Sequence, residues 1–203
     1  MKKVVFTLVI LLLLFSCKKE KQDLETVQQL ETTFSINPDV KKDTAFKFLN
    51  TSPETYAYSD HIIIGARKSS NVDFYYDKKM ISIRDSYNGV YNNVLADLKN
   101  NDSLYIRIGT SDGYTGYHLF LKIRGNYYSS EYYAFTDVGF YDDIEPKNIV
   151  LSQSLVLDKS KYKLNDSIYG FINFKSQYID KRNDTIIVTA KGHFRAKVRE
   201  SEF

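Results

Sequence analysis

The chain has 203 residues, with 28 lysines and arginines against 25 aspartates and glutamates, and two of its three surplus positive charges are Lys2 and Lys3. A body this close to neutral does not point to nucleic acid as a partner, and a lone cysteine, Cys17, excludes an internal disulfide. Seventeen tyrosines and thirteen phenylalanines without a tryptophan favour strands over helices, because ring side chains pack well on a pleated surface.

Residues 1–17, MKKVVFTLVILLLLFSC, place two lysines ahead of an uncharged apolar run, Val4–Phe15. That run has 12 residues, short of the roughly 18 that suggest a bilayer-spanning helix, so residues 1–16 read as an export signal that is removed. Its end, Leu14-Phe15-Ser16-Cys17 followed by Lys18 and Lys19, resembles the lipobox of bacterial lipoproteins of the Bacteroidota type. The resemblance implies that Cys17 is lipidated and becomes the first residue of the mature chain. It also implies that the membrane is a partner through the lipid anchor, and Lys18 after the cysteine favours the outer membrane. Each buried methylene contributes about 0.8 kcal/mol, so several acyl chains hold a protein on a membrane almost permanently.

Lys18–Lys42 begins with charged, polar residues and reads as a tether, with Leu24, Val27, Leu30 and Phe34 near one helical face. Residues 43–203 are expected to form the β-rich domain, with a subdivision allowed near Pro146. Asp43–Asn50 fits an edge strand or a turn of helix. HIIIGAR, VDFYYD and KMISIR, from His61 onwards, read as strands between polar breaks. In the segment that follows, Tyr87, Tyr91, Val94, Leu95 and Leu98 share one side of a 3.6-residue period, which predicts an amphipathic helix over about 88–99. Leu104, Ile106 and Ile108 then alternate with Tyr105 and Arg107, and Tyr117–Arg124 alternates likewise; the glycine-rich GTSDGYTG between them predicts a hairpin. Strands at NYYSSEYYAFT, KNIVLSQSLVLD and SIYGFINF lead to the longest pattern, Thr185–Arg199. The fold class that results is mainly β, an antiparallel sandwich-like body with one short amphipathic helix.

In Thr185–Arg199, Ile186, Val188, Ala190, Gly192, Phe194, Ala196 and Val198 alternate with polar or basic residues. Strand side chains point alternately to opposite faces, so one set enters a core and the other meets solvent. Lys191, His193, Arg195, Lys197 and Arg199 are therefore expected on one exposed cationic face, extended by Arg107, Lys122 and Arg124 if their strands join the same sheet. Lipopolysaccharide phosphates, an acidic glycan or an acidic envelope protein would suit that face. A solvated sheet face that discourages edge aggregation accounts for the same charges. Tyr127, Tyr128, Tyr132, Tyr133 and Tyr141 offer a further surface, for stacking on sugar rings.

Motifs with chemistry are weak. Gly109-Thr110-Ser111-Asp112-Gly113 matches the G-x-S-x-G nucleophile elbow in letters, but that motif needs a helix after its turn and here a second strand follows. Ser160–Lys163 fits S-x-x-K ahead of a turn rather than at a helix start. His61, His118 and His193 lack metal-ligand spacing. Asp137, Asp142, Asp143 and Glu145 lack the spacing of a calcium loop. No catalytic residue, metal or cofactor is assigned. A non-catalytic binding or accessory module of the cell envelope fits best; an immunity or inhibitor lipoprotein acting on a toxin or enzyme, and an envelope hydrolase, are the alternatives.

KNNDSL, KLNDSI and KRNDTI repeat the pattern Lys-x-Asn-Asp-Ser/Thr-Leu/Ile. Asn-Asp suits turn dihedrals and the hydroxyl bonds nearby backbone, so the repeat reads as a turn that launches a strand. Asp-Ser/Thr-aliphatic at Thr44, Ser103, Ser167 and Thr185 also resembles the O-glycosylation sequon of exported Bacteroidota proteins, which implies glycans at those four residues. Intact-mass measurement of protein from its own host is expected to exceed the lipidated polypeptide by glycan mass; a mass equal to the lipidated polypeptide removes the glycan reading.

Overall fold

The computed structural model describes residues 31–49, 70–81, 93–99, 103–111, 114–136 and 145–201. The export signal, Cys17, His61, Tyr141 and the aspartates of the acidic cluster lie outside these. In chain order the elements are β1 (Thr32–Thr33), β2 (Ser35–Ile36), a 3-10 helix (Pro38–Lys42), α1 (Ala45–Leu49), β3 (Asp73–Tyr76), β4 (Lys79–Met80), β5 (Asn93–Lys99), β6 (Ser103–Ser111), β7 (Thr115–Arg124), β8 (Tyr127–Thr136), β9 (Lys147–Leu157), β10 (Ser167–Ile179) and β11 (Thr185–Glu200). No helix among the described residues is long and apolar enough to cross a membrane.

β11 decides the arrangement. Its 16 residues are far more than one partner needs, and it serves both halves of the molecule. It pairs antiparallel with β10 from Thr185 to Lys197 and with β3 over Val188–Lys191, and its last residues, Val198–Glu200, pair parallel with β5. The strand order is β1-β8-β7-β6-β5-β11-β10-β9-β2, mixed in direction, with the β3–β4 hairpin beside β11. The alternation along β11 holds as expected on its inner side, where Val188, Ala190, Phe194, Ala196 and Val198 are each no more than 1% exposed.

Inner residues from β5–β8 and from β9–β11 belong to one hydrophobic cluster, so residues on both sides of Pro146 share a core. Ring contacts cross it: Phe74 meets Tyr117 at 4.9 Å between centroids, and Tyr132 meets Tyr178 edge-on at 5.2 Å. Polar side chains from β1, β8 and β9 bond one another beside it, which lowers the cost of burying them. Ser130 Oγ donates to Gln153 Oε1, and Gln153 Nε2 donates to Thr32 Oγ1 at 2.9 Å.

Thr32–Lys42, expected in the tether, are part of the body. β1 pairs with β8 and β2 with β9, so five consecutive residues reach from one end of the strand order to the other, with Phe34 buried between them. A short strand across two edges removes backbone groups that would otherwise invite pairing with other chains.

The helix expected over 88–99 is corrected for its described part. Asn93–Lys99 is strand β5, in antiparallel register with β6 from Asn93↔Gly109 to Lys99↔Ser103, and it buries Val94, Ala96 and Leu98 on one face. Val94 and Leu98 fit a period of two as well as 3.6, and seven residues are too few to separate the periods. Backbone partners on β6 and β11 decide between them. Among the described residues an α-helix lies instead at Ala45–Leu49, in the segment whose sequence fits strand and helix equally.

The repeated Lys-x-Asn-Asp motif is a turn in both described copies. Asn165 and Asn183 adopt φ of 70° and 64°, Lys163 N–H donates to Asp166 Oδ2 at 2.9 Å and Asp184 N–H donates to Asp180 Oδ1 at 2.9 Å; β10 and β11 begin directly afterwards. Gly192 has a different duty from the bulge or bend its position suggests. Register through Ile172↔Gly192 is unbroken, but its φ is 153° and a Cβ there would sit 2.7 Å from Val72 Cα, because the 71–72 backbone crosses over it. Gly192→Ala is expected to cost about 1–3 kcal/mol through backbone strain and the clash. Urea unfolding checks this, and an unchanged midpoint contradicts it.

Candidate functional site

The outward side of β11 does hold Lys191, His193, Arg195, Lys197 and Arg199, but they do not form one exposed strip. The 3-10 helix and α1 lie on the middle of it. Asn37 accepts from Asp39 N–H at 3.0 Å and Pro38 follows, which starts the 3-10 helix; Asp43 Oδ1 accepts from Ala45 N–H at 2.9 Å, which starts α1. These turns bring Val40 and Phe46 down on Val156, Tyr169 and Phe171 as a second small core. His193 is held between rings, 5.4 Å from Phe46 and 4.9 Å from Phe171, with Nε2 3.6 Å from Asp43 Oδ2.

Arg195, the next outward residue, is only 5% exposed. The expectation that all five cations face solvent is therefore corrected at His193 and Arg195. Apolar side chains supplied by the N-terminal segment make a cover for this part of the sheet. An open cleft of about 410 Å³ remains beside it, lined by Asn37, Asp39, Lys42, Asp43, Phe171 and His193 among others. Val40 and Phe46 are six residues apart in a polar stretch, and no periodicity in the sequence signals that they act together.

Lys191 is exposed and Lys197 half-buried on β11, opposite Asn173 and Ser167 of β10, while Arg107, Lys122 and Arg124 fall on the outward face of β5–β8. Arg199 at the end of β11 pairs with Asp97 of β5. Strand register carries that row onward, from Asp97 to Tyr105 to Lys122, where the Lys122 ammonium lies 5.9 Å from the Tyr105 ring centre. The neighbouring rows hold Arg107, Phe120 and Glu131 on one side, and Ser103, Arg124 and Tyr127 on the other. Lys122 and Arg124 are exposed and Arg107 is half-buried.

Beyond Phe120 the same face carries His118, Tyr133 and Phe135. Their planes nearly agree: Tyr133 and Phe135 differ by 23° at 6.1 Å between centroids, and His118 and Phe135 by 24° at 6.0 Å. Glycines stand opposite two of them. Gly116, opposite Phe135, leaves the space that ring fills: a Cβ would be 2.5 Å from Phe135 Cζ. Gly109, opposite His118, is required first by backbone: a Cβ there would be 2.0 Å from the Tyr117 carbonyl oxygen and 2.7 Å from His118 Nδ1. Of the tyrosines proposed for stacking, Tyr127 and Tyr133 face outward and are exposed, while Tyr128 and Tyr132 are buried in the core.

The weak motifs stay weak. Gly109–Ser111 ends β6 in register with Gly116–His118 of β7, so Ser111 closes a hairpin strand rather than an elbow before a helix. Ser160–Lys163 lies in the β9–β10 connection. Among the described residues no group of three or more His, Cys, Asp or Glu could hold a metal ion. The candidate glycan residues each stand at the start of an element or just before one; Thr44 and Thr185 are exposed, and Ser103 and Ser167 are half-buried. No protein-family model matches the chain, and neither a curated protein nor a solved structure matches it.

Burial, reinforced by Arg107, lowers the pKa of His118 from 6.5 to about 4, so at neutral pH it is an uncharged ring. The folded state thus resists a proton that the unfolded chain takes up below about pH 6.5. Stability from this residue is fully present above that pH and is lost as pH falls towards 4. His118→Gln is expected to unfold with a shallower decline between pH 6.5 and 4 than the wild type; parallel declines contradict the shift.

Proposed function

We propose that the chain is a lipoprotein held on the outer membrane by acyl chains on Cys17, with a two-layer β-sandwich body that works by binding rather than by catalysis. The lipobox-like end of the export signal supports the anchor, and the single core shared by β5–β8 and β9–β11 supports two packed layers. Thr44, Ser103, Ser167 and Thr185 are its proposed glycan sites.

One observation carries the binding reading. The outward face of β5–β8 sets Arg107, Lys122 and Arg124 in register with exposed rings of Tyr105, Phe120, Tyr127 and Tyr133. Binding faces are enriched in aromatic residues and arginine, and a large apolar ring left in water on a sheet face gains most from a partner. The basic side chains make that partner anionic: an acidic glycan or an acidic protein of the envelope. His193 and Arg195 are left out of the contact surface, since their surroundings are already occupied by protein.

Lys122 and Arg124 are solvent-exposed, so reversing them leaves the core intact. Lys122→Glu with Arg124→Glu is expected to weaken retention of the native partner at least tenfold in co-purification from the host membrane, with an unchanged circular dichroism spectrum. Undiminished co-purification contradicts this surface.

A further inference from the structure

We propose that the loop joining β9 to β10, Asp158–Asp166, docks on the membrane that carries the lipid anchor, with Leu164 among the lipids and Lys161 and Lys163 on the phosphates of anionic phospholipids. Docking rests on the acylation of Cys17 proposed above and adds which end of the body meets the bilayer. Strand register defines that end. Tyr127↔Arg124, Arg124↔Ser103, Ser103↔Lys99, Leu98↔Glu200 and Lys197↔Ser167 bring one end of β5–β8 together with the start of β10 and the end of β11. Thr33↔Tyr127 and Ile36↔Leu157 place β1, β2 and the end of β9 there too. The chain therefore enters the body at the end where the loop lies. Glu31 is 14 residues from Cys17, a reach of at most about 50 Å when fully extended. Ser111 and Thr136 stand at the opposite end, eight steps along β6, which is about 26 Å at roughly 3.3 Å per residue. Bringing that end to the bilayer would draw the chain back along the whole strand length; the loop's end needs no such extension.

Hydrogen bonds brace the loop. Asp158 Oδ1 accepts from the Tyr162 hydroxyl at 2.7 Å and from Tyr169 N–H at 3.0 Å, and Asp166 Oδ2 accepts from the Lys159 ammonium at 2.6 Å and Lys163 N–H at 2.9 Å. Asn165 N–H donates to the Val198 carbonyl at 2.8 Å, which ties the loop to β11. Both aspartates are thus engaged within the loop, and the exposed charged residues between them are Lys161 and Lys163. Lys163 shares the field of Asp166 with Lys159; three lysines against two aspartates still leave the loop positive. Lys99, Glu31 and Glu200 are also exposed at this end, so the positive charge belongs to the loop rather than to the whole end.

Leu164 points to lipid independently of charge. Of the three copies of the repeated turn, KLNDSI alone has an apolar second residue; Asn100 and Arg182 hold that place in the others. Asn165 and Asn183 share a positive φ, so the turn forms with a polar residue there as well as with leucine. Leu164 is 43% exposed and belongs to neither hydrophobic cluster, and Ile36, 52% exposed, stands at the same end. A leucine beside lysines suits a bilayer surface, where apolar side chains enter the acyl boundary and lysine stems carry their ammonium groups to phosphate. A glycan on Ser167, three residues on, would hold the loop off the bilayer, so the contact is made by chains unmodified there.

Fluorescence quenching in vesicles tests this, with mature acylated protein made without glycans and reconstituted in phosphatidylcholine and phosphatidylglycerol. Cys17 is the only natural cysteine and is taken up by the anchor, so Leu164→Cys supplies one thiol for a polarity-sensitive fluorophore. Lys181→Cys, exposed in the equivalent turn at the opposite end, is the control. Nitroxide-bearing lipids are expected to quench the label at 164 at least threefold more than the label at 181. Lys161→Glu with Lys163→Glu, or vesicles of phosphatidylcholine alone, are expected to remove at least two thirds of that difference. None of these side chains is in the core, and an unchanged circular dichroism spectrum checks that the variants fold. Protein that fails to float with the vesicles overturns the anchor and the docked loop together. Protein that floats with both labels quenched alike, or with a difference unmoved by the two glutamates and by lipid charge, overturns the docked loop and leaves the anchor standing.

Discussion

A single strand that belongs to both halves of the molecule is the constraint on which the rest depends. β11 is bonded to β10 and β3 over most of its length and to β5 at its end. Because side chains alternate strictly along it, a slip of one residue would move Phe194 and Val198 out of the core and bring Arg195 and Lys197 in. The burial of five apolar side chains on one side, each contributing about 1.5–3 kcal/mol for the larger ones, therefore sets the register of β10 and of β5 together. The outward position of Arg199, and through Asp97 that of the row reaching Lys122, follows from the same register.

A second constraint comes from the other end of the chain. Thr32–Ile36 connects β8 to β9, and the turns that follow press Val40 and Phe46 on the outward side of β9–β11. One surface of the protein is thus used up by its own N-terminal segment, which converts a basic strip into a packed histidine and a buried arginine. The opposite surface, on β5–β8, has no such cover among the described residues at Tyr127, Tyr133, Lys122 or Arg124. Exposed rings and basic side chains are found on that surface.

Legibility in the sequence followed the length of each pattern. β6, β7 and β11 were readable because apolar and polar residues alternate along them, β8 because of its tyrosines and β10 as far as Phe174, short of its end at Ile179; the Asn-Asp turns were readable because asparagine tolerates positive φ. β5 was misread as helix, since Val94, Leu95 and Leu98 satisfy two periods and its pairing partners are distant in sequence. The role of Thr32–Phe46 was not readable at all: no local rule says that a polar stretch with three buried apolar residues will cross two edges and cap a face. On the outward face of β5–β8, Lys122 and Arg124 were found by alternation. His118, Phe135, Gly109 and Gly116 were missed, because a ring lying on a glycine is a relation between neighbouring strands. A glycine on each of two paired strands, opposite an aromatic residue in the predicted hairpin register, was the signal that could have found them.

Native-state hydrogen exchange, followed residue by residue as urea is raised, tests the shared strand most directly. Amides of β6, β7 and β10 are expected to exchange through one common opening with the same free energy and urea dependence, with those of Val188–Val198 among the slowest. Two separate openings, with β9 and β10 exchanging while β5–β8 stay protected, would contradict a body whose halves are joined through β11.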